Sequence, residues 1–573
     1  MTAAKEKTKN DKAPKVGFFY ALRLTFSVLN KKDKWMFVLL TLSALVTGFV
    51  YIIPTQILAV IINKITGDPL EIFGIAIPGS ASLTAIILIG GLITLLLNIY
   101  DGFHSKFINI FSTKASLRLQ NKAFEWLLVP RKNLDLKMTE GDACYRINSA
   151  PPNVRFILLD LLGNILPSVF GSVVALVVLC SVGIVSLPII AAGGILIFLI
   201  MYIKGRFEGK TVLTTEKINS RMTNFVVNSV ANLPVINLFR SAVKEAKLYK
   251  KRTEDYNTNY SRLNTIRLIC WTAVSLLTAL CTYGIILIYA GQVDAELIAA
   301  GSIVIIVNYV SQVFTPISQL GWFYNELVQT GVKLVRVKEL EPKLQDIIDT
   351  SKDKALTKPI QKIELKNVAV KNNENITIEN INFTLNKGEL AVLTGDSGGG
   401  KTTALRALCG ISEVESGQII INNKIKVNTM YSYIDKFSVV MQSPYIFNRN
   451  VIDNILYPDI ENNPRIEDML RQLQMEEITR REYDEDSERS LENMLSGGEK
   501  KRICVLRGLI QNAEVYIFDE PTNELDVKNT NKVLDYINGL KQNAIVLVVT
   551  HDKRMIEKAD KIIELNKNKV VKN

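Results

Sequence analysis

At 573 residues the chain is too long for one compact domain, and its 48% hydrophobic content hides a split between a front part rich in long apolar runs and an ordinary soluble-looking rear. The formal charge of +12 is concentrated in loops between the apolar runs, which is the positive-inside pattern of a membrane protein and excludes nucleic acid as the partner. The six cysteines (Cys144, Cys180, Cys270, Cys281, Cys409 and Cys504) form no CxxC pair, and the histidines are two, so the thiols read as reduced and no metal-ligand cluster is expected.

Residues 1–34 are expected to form a polar, Lys-rich tail without a cleavable leader pattern, followed by an interfacial elbow helix over Val16 to Leu29. Lys31, Lys32, Asp33 and Lys34 then mark a cytoplasmic edge. Six apolar stretches of spanning length follow, near 35–62, 82–103, 156–181, 183–204, 268–290 and 297–322. The third and fourth are separated only by a short turn around Val182 to Ser186, and the fifth and sixth only by GQVDAE. The linker from Asn63 to Ala81 is nearly free of Lys and Arg, whereas those over His104 to Arg155 and Lys204 to Arg267 are long and basic. Both long linkers and both termini therefore face the cytoplasm. Their apolar spacing is helical, which predicts membrane helices running on in pairs, with reversals near Val129 to Glu140 and Phe225 to Phe239.

The spans carry polar and aromatic residues. Asn98, Asp160, Asn164, Trp271, Tyr283, Asn308 and Gln312 are the candidates for a substrate path, against the plainer reading that they bond helix to helix. The membrane domain is placed at 35–340 and a polar linker at 341–360.

Residues 361–573 alternate strand-like runs (KIELKNVAV, GELAVLTG, SGQIIIN, FSVVMQ, VYIFDE, AIVLVVTH) with helical patterns, the mark of a mostly parallel sheet with crossover helices. Between GELAVLT and a helical run stands Gly395, Asp396, Ser397, Gly398, Gly399, Gly400, Lys401 and Thr402, followed by Thr403. GxxxxGK[ST] after a strand and before a helix is a P-loop: its backbone N–H groups wrap a polyphosphate, Lys401 reaches the β- and γ-phosphates, and the Thr402 hydroxyl ligates Mg²⁺. VYIFDE ends an apolar strand in two carboxylates, so Asp519 is expected on Mg²⁺ and Glu520 on the attacking water.

Leu495, Ser496, Gly497, Gly498 and Glu499 precede that strand. LSGG[QE] at this place resembles the signature of ABC ATPases, and the resemblance covers nearly the whole chain, diffusely in the membrane half. It implies ATP and Mg²⁺ as cofactors, a six-helix transmembrane domain with long cytoplasmic extensions joined to an ABC-type P-loop NTPase domain, and two ATP molecules held between two ATPase domains. One P-loop and one signature cannot close such a site within one chain, so a second half-transporter is implied, a homodimer being favoured over a heterodimer. By the same resemblance Gln442 is the Q-loop glutamine that senses Mg²⁺ and water, Asp526 ends the D-loop at the dimer interface, and His551 is the switch histidine on the γ-phosphate. One departure stands out. Family members commonly stack an aromatic residue on adenine, and the corresponding NVAVKNNENITIENI has none, with Asn372 or Asn373 in its place. The implied function is ATP-driven export of a peptide or amphipathic molecule by alternating access in the lipid bilayer of a cell membrane. Lys, Asn and Ile richness points to a bacterial source. An exporter-fold importer, for example of an iron chelate, and an ATP-gated channel or sensor subunit are the alternatives.

Overall fold

A computed structural model describes residues 17–73, 75–129, 140–184, 186–294, 299–342, 359–373, 376–396, 399–410, 412, 414–423, 425–427, 430–458, 466–480, 491–565 and 570–572. They form two compact units, a helical one that ends at Glu341 and an α/β one that begins at Pro342.

The helical unit opens with α1 (Phe18–Ser27). α2 (Lys31–Val50) starts on a reciprocal cap: the Asn30 side chain accepts from the Asp33 N–H, and the Asp33 carboxylate accepts from the Asn30 N–H. The first apolar run is broken rather than straight. α2 stops after Val50, and α3 (Ile53–Thr66) restarts with Pro54 in its first turn, because proline cannot donate to the carbonyl one turn back. The break is sealed by the buried Tyr309, whose hydroxyl donates to the Ile52 carbonyl at 3.0 Å. A two-strand hairpin, β1 (Glu71–Ile72) with β2 (Ile75–Ala76), leads to α4 (Leu83–Leu128).

α5 (Glu140–Asp160) continues through a π-turn at Leu161–Ile165 into α6 (Leu166–Val182). Pro167 lacks an N–H and crowds the preceding turn, and the wider turn absorbs it, with Leu166 N–H reaching Leu161 O. After the short turn come α7 (Ser186–Ala231), α8 (Leu233–Leu238), α9 (Ala242–Asp294) and α10 (Gly301–Lys338). The expected second reversal coincides with α8 and its flanks; the first falls on residues 130–139, outside the described residues. α9 runs through the start of GQVDAE to Asp294, so the turn expected there is shorter than its sequence, and 295–298 lie outside the description. Among the described residues six helices or helix pairs are long and apolar enough to cross a membrane, from Lys31–Thr66 to Gly301–Lys338.

Ion pairs join these helices. Asp33 meets Arg118 of α4, and the fully buried Glu208 of α7 accepts from Arg267 of α9 at 3.0 Å and from Asn325 of α10. A buried carboxylate without such partners would cost several kcal/mol.

The α/β unit contains β3 (Lys362–Asn373), β4 (Ile376–Asn386), β5 (Leu390–Thr394), α11 (Lys401–Leu408), β6 (Val414–Ile421), β7 (Ile425–Val427), β8 (Phe437–Val440), α12 (Val451–Ile455), α13 (Ile466–Gln472), α14 (Glu476–Thr479), α15 (Leu491–Met494), α16 (Gly497–Leu509), β9 (Val515–Asp519), α17 (Val527–Leu540), β10 (Ile545–Val549), α18 (Lys553–Glu557), β11 (Lys561–Glu564) and β12 (Val570–Lys572). One sheet, in the order β11-β5-β10-β9-β8, is wholly parallel. The second, β12-β4-β3-β6-β7, is antiparallel, so KIELKNVAV and SGQIIIN do not belong to the parallel sheet that the alternation of runs suggested. Each central strand feeds two cores. Val515 and Ile517 of β9 pack toward the antiparallel sheet, Tyr516 and Phe518 toward the helices, which is why the strand reads as unbroken apolar sequence.

Candidate functional site

The carboxyl ends of β5, β9 and β10 bring three of the expected motifs together. The P-loop leaves β5 at Thr394 and enters α11 at Lys401. Gly395 and Gly400 hold φ of 144° and 90°. A Cβ at Gly395 would lie 2.5 Å from the Leu565 carbonyl, so only glycine lets the loop pass there. Gly399 N–H bonds the Asp396 carbonyl at 3.0 Å. Ser397 and Gly398 lie outside the described residues. The Lys401 amine donates to the Gly395 carbonyl at 2.6 Å and the Asp396 carbonyl at 3.2 Å, and stands 3.3 Å from Nε2 of His551. Thr402 is exposed at the start of α11, whereas Thr403 is buried.

Asp519 ends β9, nearly enclosed. Burial pushes its carboxyl above the usual range, the charge of adjacent Glu520 adds to this, and Lys501 and Lys401 oppose it. Glu520 adopts a left-handed φ of 47° that side chains rarely accept. Its N–H is fixed by the Val549 carbonyl at 2.9 Å, and its carboxylate accepts from the Thr550 hydroxyl at 3.4 Å. Glu520 is thus tied to the end of β10 immediately before His551.

Gln442 lies just beyond β8, exposed. Its main chain is held by a residue that the sequence reading missed. Lys501 of α16 is 1% exposed, and its three ammonium hydrogens face three carbonyls: Gln442 at 3.0 Å, Met441 at 3.3 Å and Asp519 at 3.4 Å. One buried cation therefore joins the signature helix, the segment carrying Gln442 and the end of β9. Burial pulls its pKa down, and the charges of Cys504, Asp519, Glu524 and Glu520 pull it back up. The signal available in sequence was only a second lysine in EKKR.

In the signature, Leu495 is buried and Ser496 caps α16. Ser496 and Glu499 form a reciprocal box: Ser496 N–H to Glu499 at 2.7 Å, and Glu499 N–H to Ser496 Oγ at 3.3 Å. Ser496 and Gly497 are exposed, and Gly497 and Gly498 pack against Glu524 so closely that a Cβ at either would fall within 3.0 Å of it. Asp526 caps α17, accepting from Asn529 N–H at 2.8 Å and Asn529 Nδ2 at 2.7 Å, and these bonds hold its carboxyl below the usual range.

This arrangement suits a magnesium nucleotide. Two adjacent carboxylates, one buried with its proton affinity raised, are short of positive charge, while a glycine cradle and a lysine lie opposite. Among the described residues no group of three or more His, Cys, Asp and Glu side chains could hold a metal alone.

The membrane candidates separate. Trp271 and Tyr283 line a cavity of about 760 Å³ among α7, α9 and α10. Asp160 and Asn164, bonded to each other at 2.8 Å, line a smaller one of about 300 Å³ with Tyr51, Asp101 and His104. Asn98, Asn308 and Gln312 line neither; the Asn308 amide donates to the Val304 carbonyl of its own helix at 3.0 Å.

Two family models match, "ABC transporter transmembrane region" over residues 37–317 and "ABC transporter" over 378–523. A mitochondrial iron-sulfur clusters transporter ATM1 of Debaryomyces hansenii is 26% identical over 79% of this chain and 67% of its own length. A probable ABC transporter ATP-binding/permease protein of Haemophilus influenzae is 25% identical over 61% of this chain and 64% of its own. An ATP-dependent lipid A-core flippase of Syntrophus aciditrophicus is 29% identical over 45% and 44%. The aligned region thus spans about two thirds or less of these relatives. The solved structure of a bacterial Atm1-family ABC exporter with ATP bound superposes with a TM-score of 0.79 over 95% of both chains at 18% identity, a likeness of fold.

Proposed function

We propose that this chain, which belongs to the ABC transporter family as a half-transporter with fused membrane and ATPase domains, hydrolyses ATP to export a peptide or amphipathic molecule, working as a dimer, with the homodimer favoured. The observation that carries the reading is the convergence of Lys401, Asp519, Glu520 and His551 in one cluster while the exposed signature serine opens a different helix of the same unit. Lys401 and the P-loop amides bind polyphosphate. Thr402, Asp519 and Gln442 are the groups that would hold Mg²⁺, which supplies charge neutralisation at the phosphates when bound. Glu520, locked by Val549 and Thr550, orients and deprotonates the attacking water, and His551 stands beside Lys401 to bind the terminal phosphate. Ser496, Gly497 and Gly498 face outward to the nucleotide of the partner subunit. Alternating access follows when nucleotide binds the two conformations with different affinity.

The test is turnover of the full chain in nanodiscs, with Glu520→Gln as the comparison. Loss of the base is expected to cut phosphate release by about 10²–10³-fold, the scale of a positioned proton acceptor with its water, while nucleotide binding persists. Turnover that survives Glu520→Gln would sink the assignment.

A further inference from the structure

The larger membrane cavity contains a cation that none of the motifs explains. Lys204 of α7 is 6% exposed and makes no hydrogen bond or ion pair among the described residues, yet its amine is not sealed in protein. The nearest carboxylate along its helix, Glu208, is already committed to Arg267 and Asn325. No Asp or Glu lines this cavity, and none lines the adjoining one of about 340 Å³, which shares Lys204, Trp271 and Trp322 and adds Arg267. A cation that faces these cavities with no hydrogen bond or ion pair among the described residues leaves the place of its counter-charge open to a ligand anion.

The rest of the wall has its own polarity. Thr278 and Thr282 on α9, and Ser311, Thr315 and Ser318 on α10, repeat at helical spacing and face the cavity. Several of these hydroxyls spend their hydrogen on their own helix: Thr282 on the Thr278 carbonyl at 2.9 Å, Thr315 on the Ser311 carbonyl at 2.9 Å, and Ser311 on Val307 at 3.3 Å. They therefore offer lone pairs, and Oε1 of Gln319, buried without a partner among the described residues, offers another. Trp271, Trp322, Tyr283 and Phe314 supply apolar and aromatic surface.

We infer that this cavity binds an amphipathic anion that carries N–H or O–H groups along an apolar body, with its negative head on Lys204. The inference narrows the cargo class of the export reading and rests on that reading only for the step of transport; binding itself does not depend on it.

The experiment is calorimetric titration of the full chain, without nucleotide, in phosphatidylcholine nanodiscs. The probes are N-octanoylglycine, which has a carboxylate, an amide N–H and an apolar tail, and its neutral amide. The acid is expected to bind at least ten-fold more tightly than the amide. Lys204→Met should erase that preference and Lys204→Arg should keep it. If Lys204→Met does not elute as wild type, Lys204→Gln is read in its place. Equal affinity for acid and amide, or a preference that survives removal of the ammonium, overturns the inference. Adding phosphatidylglycerol to the nanodisc separates the sources: competition with the acid makes the natural ligand a lipid, and no competition makes it a soluble amphipath. Because no nucleotide is present, a negative result leaves Glu520-dependent turnover, and the export reading, standing.

Discussion

Glu520 and Asp519 differ in how their chemistry is prepared. Asp519 is buried at the end of a strand with its carboxyl pushed up by desolvation, a site that welcomes a cation. Glu520 is held in a left-handed backbone conformation by β10, which turns its carboxylate toward Thr550. Such strain is retained when the surroundings over-determine it, which is in keeping with the catalytic role proposed for Glu520. The base of the nucleotide is served less well. By the family resemblance, Asn372 or Asn373 in β3 stands about where ABC ATPases commonly carry an aromatic ring. Stacking on a base is worth about 1–3 kcal/mol, so Asn372→Tyr is expected to tighten ATP binding by about 5–150-fold and to sharpen discrimination against nucleotides with smaller bases. Equilibrium binding of ATP and CTP to both proteins measures this. Unchanged affinity would mean that the base is held by other groups.

At the level of elements, caps and paired charges decide where helices start. Asp526 begins α17 by accepting two bonds from Asn529, which keep its carboxyl below the ordinary range. Because the folded pKa lies below the unfolded one, the stabilisation is complete above the unfolded value near 4 and is lost as pH falls through the folded one. Asp526→Asn, which retains an acceptor for the Asn529 N–H, is therefore expected to flatten the acid limb of stability below about pH 4. Asp526→Ala should cost about 1 kcal/mol at neutral pH. Thermal melts of the full chain across pH follow both, and an acid limb unaltered by Asp526→Asn would place the acid sensitivity elsewhere. The parallel strands were legible because both faces are buried, which leaves apolar runs. β4 alternates apolar and polar residues through ITIENINFTLN and was left out of the expected strands, although alternation is itself a strand signal; the antiparallel sheet went unread with it. The broken first membrane helix was equally open to reading, since Pro54 sits inside the run.

For the molecule as a whole, the half-transporter fold implies a second subunit, and under the proposed homodimer each ATP site is completed by the signature of the other copy. Lys401→Ala removes a P-loop and leaves the signature intact; Gly498→Asp, which would drive a side chain into the Glu524 backbone, does the reverse. Each variant alone is expected to be inactive. Co-expressed and co-purified, they should regain turnover, because the mixed dimer pairs the sound P-loop of one chain with the sound signature of the other. A mixture as inactive as its components would argue against sites shared between subunits. The membrane half responds to the same reasoning at a different place: of the candidates chosen from sequence, Trp271 and Tyr283 line the larger cavity, Asp160 and Asn164 the smaller, and Asn98, Asn308 and Gln312 neither, while the strongest ligand group in the larger one, Lys204, was not among them.

Short contiguous motifs determined the ATPase assignment. A P-loop, a strand ending in two carboxylates and a signature each carry their chemistry within about eight residues, so backbone geometry and side chains are specified together. The apolar runs likewise determined that the chain enters a membrane, because spanning length is a local property. Tertiary structure alone decided which distant groups share a site. Lys501 meets carbonyls 59 and 60 residues away and a third at the end of β9. Lys204 is read in sequence as a loop cation at the end of a span, and only the packing of α7, α9 and α10 shows that Glu208, one turn along, is committed to Arg267 and Asn325. Burial and the commitment of neighbouring partners turn a common residue into a site, and neither is written in the local sequence.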